Sequence, residues 1–371
     1  SSSPSAPGGG AGRAPGHAAG DHRPPGGRGG GGGPAVAPGI VPPAPRGPLK
    51  GAIPPLIALG ATLLAYAKAP SIGYVWDDKF LLLKGIRGLR DLSAFRAGGV
   101  YYRPLVAISL GLDHLLWGWR AWGYHLTNLL VHCLNVLLVY WLARLLLGGR
   151  RWRDLLACSA ALLFGLYPIN SESVCWISGR TDLLASTFFL LGTILHVLFR
   201  RRQRAWLLAA AACCFLLSLL SKEVGLAFVI TVPLLDLLVL RPTSRGARGL
   251  LSYLPYLLVL CLYVYLRWAS LHPTAERLVS SASAKAARGG AWRPLLDAAL
   301  ALGFYVRKSL LPFRLNLFIG DIPGGWATNL APFALLVLCL FLCTARCLAR
   351  GGRGGVVAWG LWWFVAGLAP A

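Results

Sequence analysis

Asp77 and Asp78 sit side by side behind Trp76, just past the first hydrophobic run, in a chain that carries only 13 acidic residues and no other adjacent pair of them. Neighbouring carboxylates repel each other and lose solvation when partly buried, so a membrane protein that keeps such a pair is expected to use it. The chemistry that fits is proton handling, with one carboxylate as a base. Other charged residues fall in short polar segments: Arg103, then Glu172, Arg180 and Asp182, then Lys222 and Glu223. A guanidinium fork can hold a phosphate, whereas the plainer reading of Arg180 is a salt bridge to Asp182 or Glu172. Both can hold at once. Lys222-Glu223 taken alone is an ordinary charged turn, but four segments with charge at one depth are expected to converge on a site at a membrane surface.

A polar stripe runs below that surface. His125, Asn128, His132 and Asn135 are spaced 3, 4 and 3 apart, which on a helix confines them to an arc of about 80°. Small amides and imidazoles on one face often hydrogen-bond neighbouring helices, and Asn135, the deepest, suits that role. His125 and Asn128 lie nearer the outer end, where contact with a ligand is expected.

The elements that must position these residues are membrane helices. Apolar residues make up 56% of the chain and charged residues 13%, and the apolar runs are too long and numerous for one soluble core. The fold expected is an all-α polytopic membrane protein of about nine transmembrane helices (range about seven to eleven). The spans are placed at 52–69, 123–147, 154–169, 181–199, 205–221, 223–240, 249–267, 329–347 and 354–371. The segments 104–117 and 291–313 are interrupted by charge and read as helices at the outer surface or re-entrant. The 37 Lys and Arg residues cluster in short loops between spans, which is a topology signal rather than a nucleic-acid signature. Arg150 to Arg153, Arg200 to Arg204 and Arg241 to Arg248 then fall inside, and the acidic pair and its companions fall outside. Residues 1–48, rich in Gly, Pro and Arg, read as a disordered tail. The run from Ala52 to Ala69 reads as a retained anchor, with a signal peptide as the alternative. Either delivers Asp77 and Asp78 to the outside. Eight of the nine cysteines fall in or beside apolar runs and none form C-x-x-C, so neither zinc nor a disulfide framework is expected. Since the chain has no Met, it is expected to be a piece of a longer protein.

The motifs resemble those of the transmembrane and tetratricopeptide-repeat-containing O-mannosyltransferases, a branch of the glycosyltransferase C (GT-C) superfamily that also holds the protein O-mannosyltransferases. The matching residues are Trp76-Asp77-Asp78, Tyr102-Arg103-Pro104-Leu105, Gly123 to Asn128 with His132, Tyr167-Pro168 with Glu172-Ser173-Val174, Gly179 to Leu184, and Ser221-Lys222-Glu223. Tyr167 stands where the family usually has His, and no 34-residue helical repeat occurs within the chain. Such repeats are expected outside it, if present.

The resemblance implies that residues 49–371 form a GT-C-like transmembrane glycosyltransferase domain in the bacterial inner membrane or the endoplasmic reticulum. Its donor would be a polyprenyl-phosphate sugar, mannose by family, embedded among membrane lipids. Its acceptor would be a Ser or Thr hydroxyl of a protein on the periplasmic or lumenal face, attacked with inversion. On that reading Asp77 or Asp78 is the base. Arg103, Arg180, Lys222 and, behind them, Arg307 hold the donor phosphate. His125, Asn128, His132, Glu172, Asp182 and Glu223 contact substrate. No metal, cofactor or nucleic acid is assigned. The competing reading is a polytopic transporter of an anionic or lipid-linked substrate, which Asp236, deep in a span, would suit. A non-catalytic scaffold is the third.

Overall fold

The computed structural model describes residues 48–90, 101–241, 247–270, 293–313, 326–350 and 354–368. The expected tail lies outside these residues except for Pro48. In chain order the helices are α1 (Pro48–Ala65), α2 (Asp78–Arg90), α3 (Pro104–Trp117), α4 (Ala121–Leu147), α5 (Arg153–Leu166), α6 (Asn170–Cys175), α7 (Arg180–Arg202) and α8 (Ala205–Ser221). They continue with α9 (Ala227–Leu235, prolonged by a π turn over Asp236–Leu240), α10 (Gly249–Ser270), α11 (Arg293–Leu310), α12 (Trp326–Ala349) and α13 (Gly355–Leu368). No strand occurs among the described residues. Apolar runs of this kind become helices because hydrocarbon offers no partner for a backbone amide, and only a helix satisfies every one within its own segment.

Six stretches are long and apolar enough to cross a membrane: Ala52–Ser71, Ala121–Leu147, Ile177–Arg202, Glu223–Leu240, Gly249–Ser270 and Trp326–Ala349. The chain is an all-α, multi-pass membrane protein. Three further segments read as spans from hydropathy are helices of 14, 17 and 14 residues, namely α5, α8 and α13. Fourteen residues rise about 21 Å, short of a hydrocarbon core of about 30 Å. α11 carries Arg307 and Lys308 in its last turn and is not among the six.

α4 and α7 form the centre. α1, α4 and α5 meet through Ala58, Val136, Tyr140, Ala157 and Ala161. α4, α7, α9 and α13 share Leu138, Leu190, Ile194, Leu235 and Trp359. α7, α8, α9 and α10 close around Phe189, Phe215, Phe228 and Tyr256, with the rings of Phe215 and Phe228 stacked at 4.9 Å. Large apolar side chains such as Leu64, Leu115, Leu163 and Phe341 point outward, as suits a surface bathed in lipid.

Ion pairs tie several of the helices together near their ends. At one end Arg144 Nε donates to Asp154 at 2.8 Å, joining the end of α4 to the start of α5. There, too, Arg200 of α7 holds Asp236 beyond α9, through Nε at 2.9 Å and Nη2 at 2.6 Å. Asp236 also accepts from Tyr253 Oη at 2.5 Å and from His196 Nε2 at 3.2 Å, while His196 Nδ1 accepts from Tyr256 Oη at 2.9 Å. The one acidic residue suited to a transporter is therefore held by three side chains, Arg200, His196 and Tyr253. At the opposite end lie the starts of α4, α7 and the α9 segment, and the finishes of α5 and α8. The acidic pair is at that end.

Candidate active site

Trp76 has φ 46, a left-handed backbone rare for a bulky residue. This sharp turn lets α2 begin at Asp78 and folds its carboxylate back, so that Asp78 Oδ2 accepts the Val75 amide at 2.8 Å. The other oxygen, Oδ1, accepts the Ser178 amide at 3.0 Å. Ser178 Oγ lies 2.9 Å from Asp78 Oδ1 and 2.9 Å from Asp77 Oδ1. One hydroxyl proton thus serves two carboxylates. Asp78 is 1% exposed. Burial pushes its carboxyl above the usual range, Asp77's charge adds to this, and the donors on Val75 and Ser178 oppose it. Asp77 is only half-buried, and its second oxygen takes no hydrogen bond from the described residues. Ser178 reaches both because its turn packs tightly on α6: a Cβ at Gly179 would sit 2.6 Å from Ser173 Cα.

The cations gather around Glu223. Arg103 donates to Oε2 through Nε at 3.2 Å and Nη2 at 2.8 Å, and Arg267 Nη1 donates to Oε1 at 2.6 Å. Arg267 also contacts Tyr263 Oη at 3.1 Å, and Arg103 stacks over the Tyr101 ring at 4.3 Å. Lys84 of α2 is close enough to feel them. Burial lowers its ammonium from the usual value, and Arg103's charge lowers it further. Two guanidinium groups and a nearby ammonium against one carboxylate leave this corner net positive. The turn that presents Glu223 needs a glycine two residues on, since a Cβ at Gly225 would meet Leu219 N and Ser218 Oγ at 2.9 Å.

Next to it, Lys222 Nζ donates to both oxygens of Asp182, at 2.7 and 2.9 Å. Glu172 lies beside them. Partial burial raises its carboxyl from the ordinary value, Asp182 raises it further, and Lys222 opposes both. Asp77, Asp78, Arg103, Glu172, Asp182, Lys222 and Glu223 therefore all lie at one end of the bundle.

Other sequence candidates are placed differently. Arg180 is 0% exposed, and its guanidinium is fully engaged by protein. It donates to Asn128 Oδ1, to Ser109 Oγ at 2.8 Å, to Asp113 Oδ2 at 2.7 Å and to the Tyr124 carbonyl at 3.0 Å. No face of it is left towards a ligand. Asn128 Nδ2 donates to the Trp176 carbonyl at 2.9 Å, His132 Nε2 to the Gly165 carbonyl at 3.1 Å, and Asn135 Nδ2 to the Leu183 carbonyl at 3.0 Å. The stripe stitches α4 to its neighbours. His125 Nε2 donates to the Gly73 carbonyl at 3.2 Å, beside the acidic pair. Arg307 Cζ lies 5.5 Å over the Phe304 ring, on a helix that meets this end where Tyr167 Oη donates to the Ser309 carbonyl.

Four residues of this end were not singled out by sequence: Ser178, Lys84, Arg267 and Asp113. Asp113 interrupts the apolar run of α3 and is the buried partner of Arg180. A buried carboxylate in an apolar helix needs a cation, and that signal was available.

No family model matches the chain. Among curated proteins, it is 33% identical to the human protein O-mannosyl-transferase TMTC2 over 144 residues, which cover 37% of this chain and 17% of that protein. Against the Drosophila melanogaster protein O-mannosyl-transferase Tmtc1 it is 29% identical over 197 residues, or 48% of this chain and 22% of the relative. The Xenopus laevis protein O-mannosyl-transferase tmtc2 is 38% identical over 96 residues, 26% of this chain and 11% of the relative. The matched part thus spans between 11% and 22% of the length of these relatives. Over that part of its length the chain is similar to TMTC-type protein O-mannosyl-transferases.

Proposed function

We propose that residues 49–371 form a GT-C-like transmembrane glycosyltransferase that moves mannose from a polyprenyl-phosphate donor to a Ser or Thr hydroxyl of a protein, on the periplasmic or lumenal face. The observation that carries this reading is the unequal treatment of two adjacent carboxylates. Asp78 has both oxygens engaged by protein donors, whereas Asp77 shares one hydroxyl and presents its other oxygen.

In this mechanism Asp77 is the base and Asp78 with Ser178 holds it in place. The acceptor oxygen attacks the anomeric carbon from the side opposite the phosphate. Its bond to carbon forms as the bond from carbon to phosphate oxygen breaks, which inverts the centre, and Asp77 takes the hydroxyl proton. The leaving polyprenyl phosphate gains negative charge as it departs. Fixed cations near it stabilise that state more than the ground state, which is the origin of the rate gain. Arg103 and Arg267, held apart and oriented by Glu223, are the groups in place to do so, with Lys84 and Lys222 adding positive potential. Arg180, enclosed by Asn128, Ser109, Asp113 and the Tyr124 carbonyl, takes a positioning role instead.

The test is mannose transfer from polyprenyl-phosphate mannose in purified membranes, comparing the parent with Asp77→Asn and Asp78→Asn at matched expression. The expected result is a loss of a hundredfold or more in Asp77→Asn, the scale on which removal of a general base is felt. A parent that transfers and an Asp77→Asn variant that equals it would show that another group takes the proton. A parent that consumes no donor, with candidate acceptor proteins present, would overturn the glycosyltransferase reading.

A further inference from the structure

The segment from Gly73 to Asp78 carries more than the acidic pair. Trp76, held in its left-handed backbone conformation, is 67% exposed, and its ring lies 5.9 Å from that of Trp176 at an angle of 34°. Tryptophans at a membrane surface are common in themselves. What is uncommon is a strained backbone that turns one indole against another directly before a carboxylate, since strain of this kind is retained where surrounding structure enforces it.

Buried polar atoms cluster around the same segment. Tyr74 Oη, Trp176 Nε1 and His125 Nδ1 are all shielded from solvent and have no hydrogen-bond partner. His125 is wholly buried. Its Nε2 faces the Gly73 carbonyl and so carries the proton, which leaves Nδ1 as an unfilled acceptor. Buried polar groups are ordinarily satisfied, and three exceptions around one loop need an explanation. Trp176 Nε1 offers a donor, His125 Nδ1 an acceptor, and Tyr74 Oη either.

We infer that Trp76, Trp176, Tyr74 and His125 form a pyranose subsite beside Asp77, in which a sugar ring lies against the indole pair and its hydroxyls meet the unfilled donors and acceptors. A pyranose suits this chemistry: one face is made of C–H groups that pack on an aromatic surface, and its edge carries hydroxyls that both donate and accept. A phosphate or a simple lipid tail would satisfy one half of the arrangement only. The inference rests on the glycosyltransferase reading and adds the place where the transferred sugar sits. Trp76 and its companions act there as positioning residues, since they orient the sugar and leave the proton transfer to Asp77.

The experiment uses the full chain in detergent or membranes with two readouts. Steady-state transfer from polyprenyl-phosphate mannose is measured for Trp76→Ala, Trp76→Phe, Tyr74→Phe and Trp176→Phe, and binding of α-D-mannose 1-phosphate is measured by calorimetry. Trp76→Ala is expected to raise KM for the donor tenfold or more with kcat within about threefold, and Trp76→Phe to recover most of that loss. Trp176→Phe and Tyr74→Phe are expected to raise KM severalfold. Thermal melts of each variant separate lost binding from lost folding. A transferring parent whose KM is indifferent to Trp76→Ala and Tyr74→Phe would overturn the subsite and leave the function standing. Mannose 1-phosphate binding that depends on Trp76, in a parent that transfers nothing, would keep the subsite and overturn the function. A parent that neither transfers nor binds mannose 1-phosphate would overturn both.

Discussion

Arg180 Nη2 and Asp113 Oδ2 meet at 2.7 Å in the interior of the bundle, where neither side chain has appreciable contact with solvent. A buried pair of this kind costs desolvation on both sides, and its removal by halves is worse than its removal whole. Arg180→Met and Asp113→Leu are each expected to destabilise by about 3–5 kcal/mol, because each strands a buried charge. The double variant is expected to be more stable than either single one. Thermal melting in detergent reads this directly, and a double variant no better than the worse single one would contradict it.

Ser178→Ala removes the hydroxyl shared by Asp77 and Asp78. A hydrogen bond to a charged carboxylate favours that form, so its loss raises the pH at which Asp78 ionises. The acid limb of the activity profile, kcat/KM against pH, is expected to move to higher pH. An unmoved limb would mean that neither carboxylate is the base.

Glu223 holds Arg103 and Arg267 at 2.8 and 2.6 Å. Arg267→Ala is expected to raise KM for the lipid-phosphate donor about tenfold, equivalent to about 1.4 kcal/mol. Arg103→Lys is expected not to preserve activity, since an ammonium cannot reproduce the Nε and Nη2 donors that Arg103 turns together on one Glu223 oxygen. Initial rates over a range of donor concentration test both.

Glu172 keeps its proton to higher pH in the folded protein than it would in an unfolded chain. The folded state therefore binds more protons between those two values, and stability falls as pH rises through that window, which begins near the ordinary 4.5. Glu172→Gln is expected to leave melting unchanged below the window and to raise it slightly above, by less than about 1 kcal/mol because solvent screens an exposed carboxylate. Melting curves of parent and variant at pH 4 and pH 7.5 decide it.

The apolar runs and their basic linkers made the class of fold and the run of helices legible, because hydropathy and periodicity are local properties. Hydropathy alone says less about length: α5 and α13, read as spans, are 14 residues each, as turns and caps consume the ends of the apolar runs. The collection of charges at one end was legible as well. Which charge meets which was not. Arg103 and Glu223 are far apart in sequence, as are Arg180 and Asp113, and their pairing is a product of packing. Ser178 carries no charge and belongs to no periodic pattern, so nothing marked it before Gly179 brought its turn against α6. His132 and Asn128 were misjudged in role for a related reason: a polar stripe looks the same whether it faces a ligand or another helix's carbonyls.

Both arginines that close the two ends of the bundle, Arg180 and Arg200, belong to α7. At 1.5 Å per residue their Cα atoms are about 30 Å apart, the thickness of a typical hydrocarbon core. Each is tied to a carboxylate on another element, Asp113 at one end and Asp236 at the other. α7 is thereby pinned to its neighbours near both ends, by pairs buried within the protein. An element that slid along α7 by even one turn would break one pair or the other, so α3 and the α9 segment are held in register on this helix.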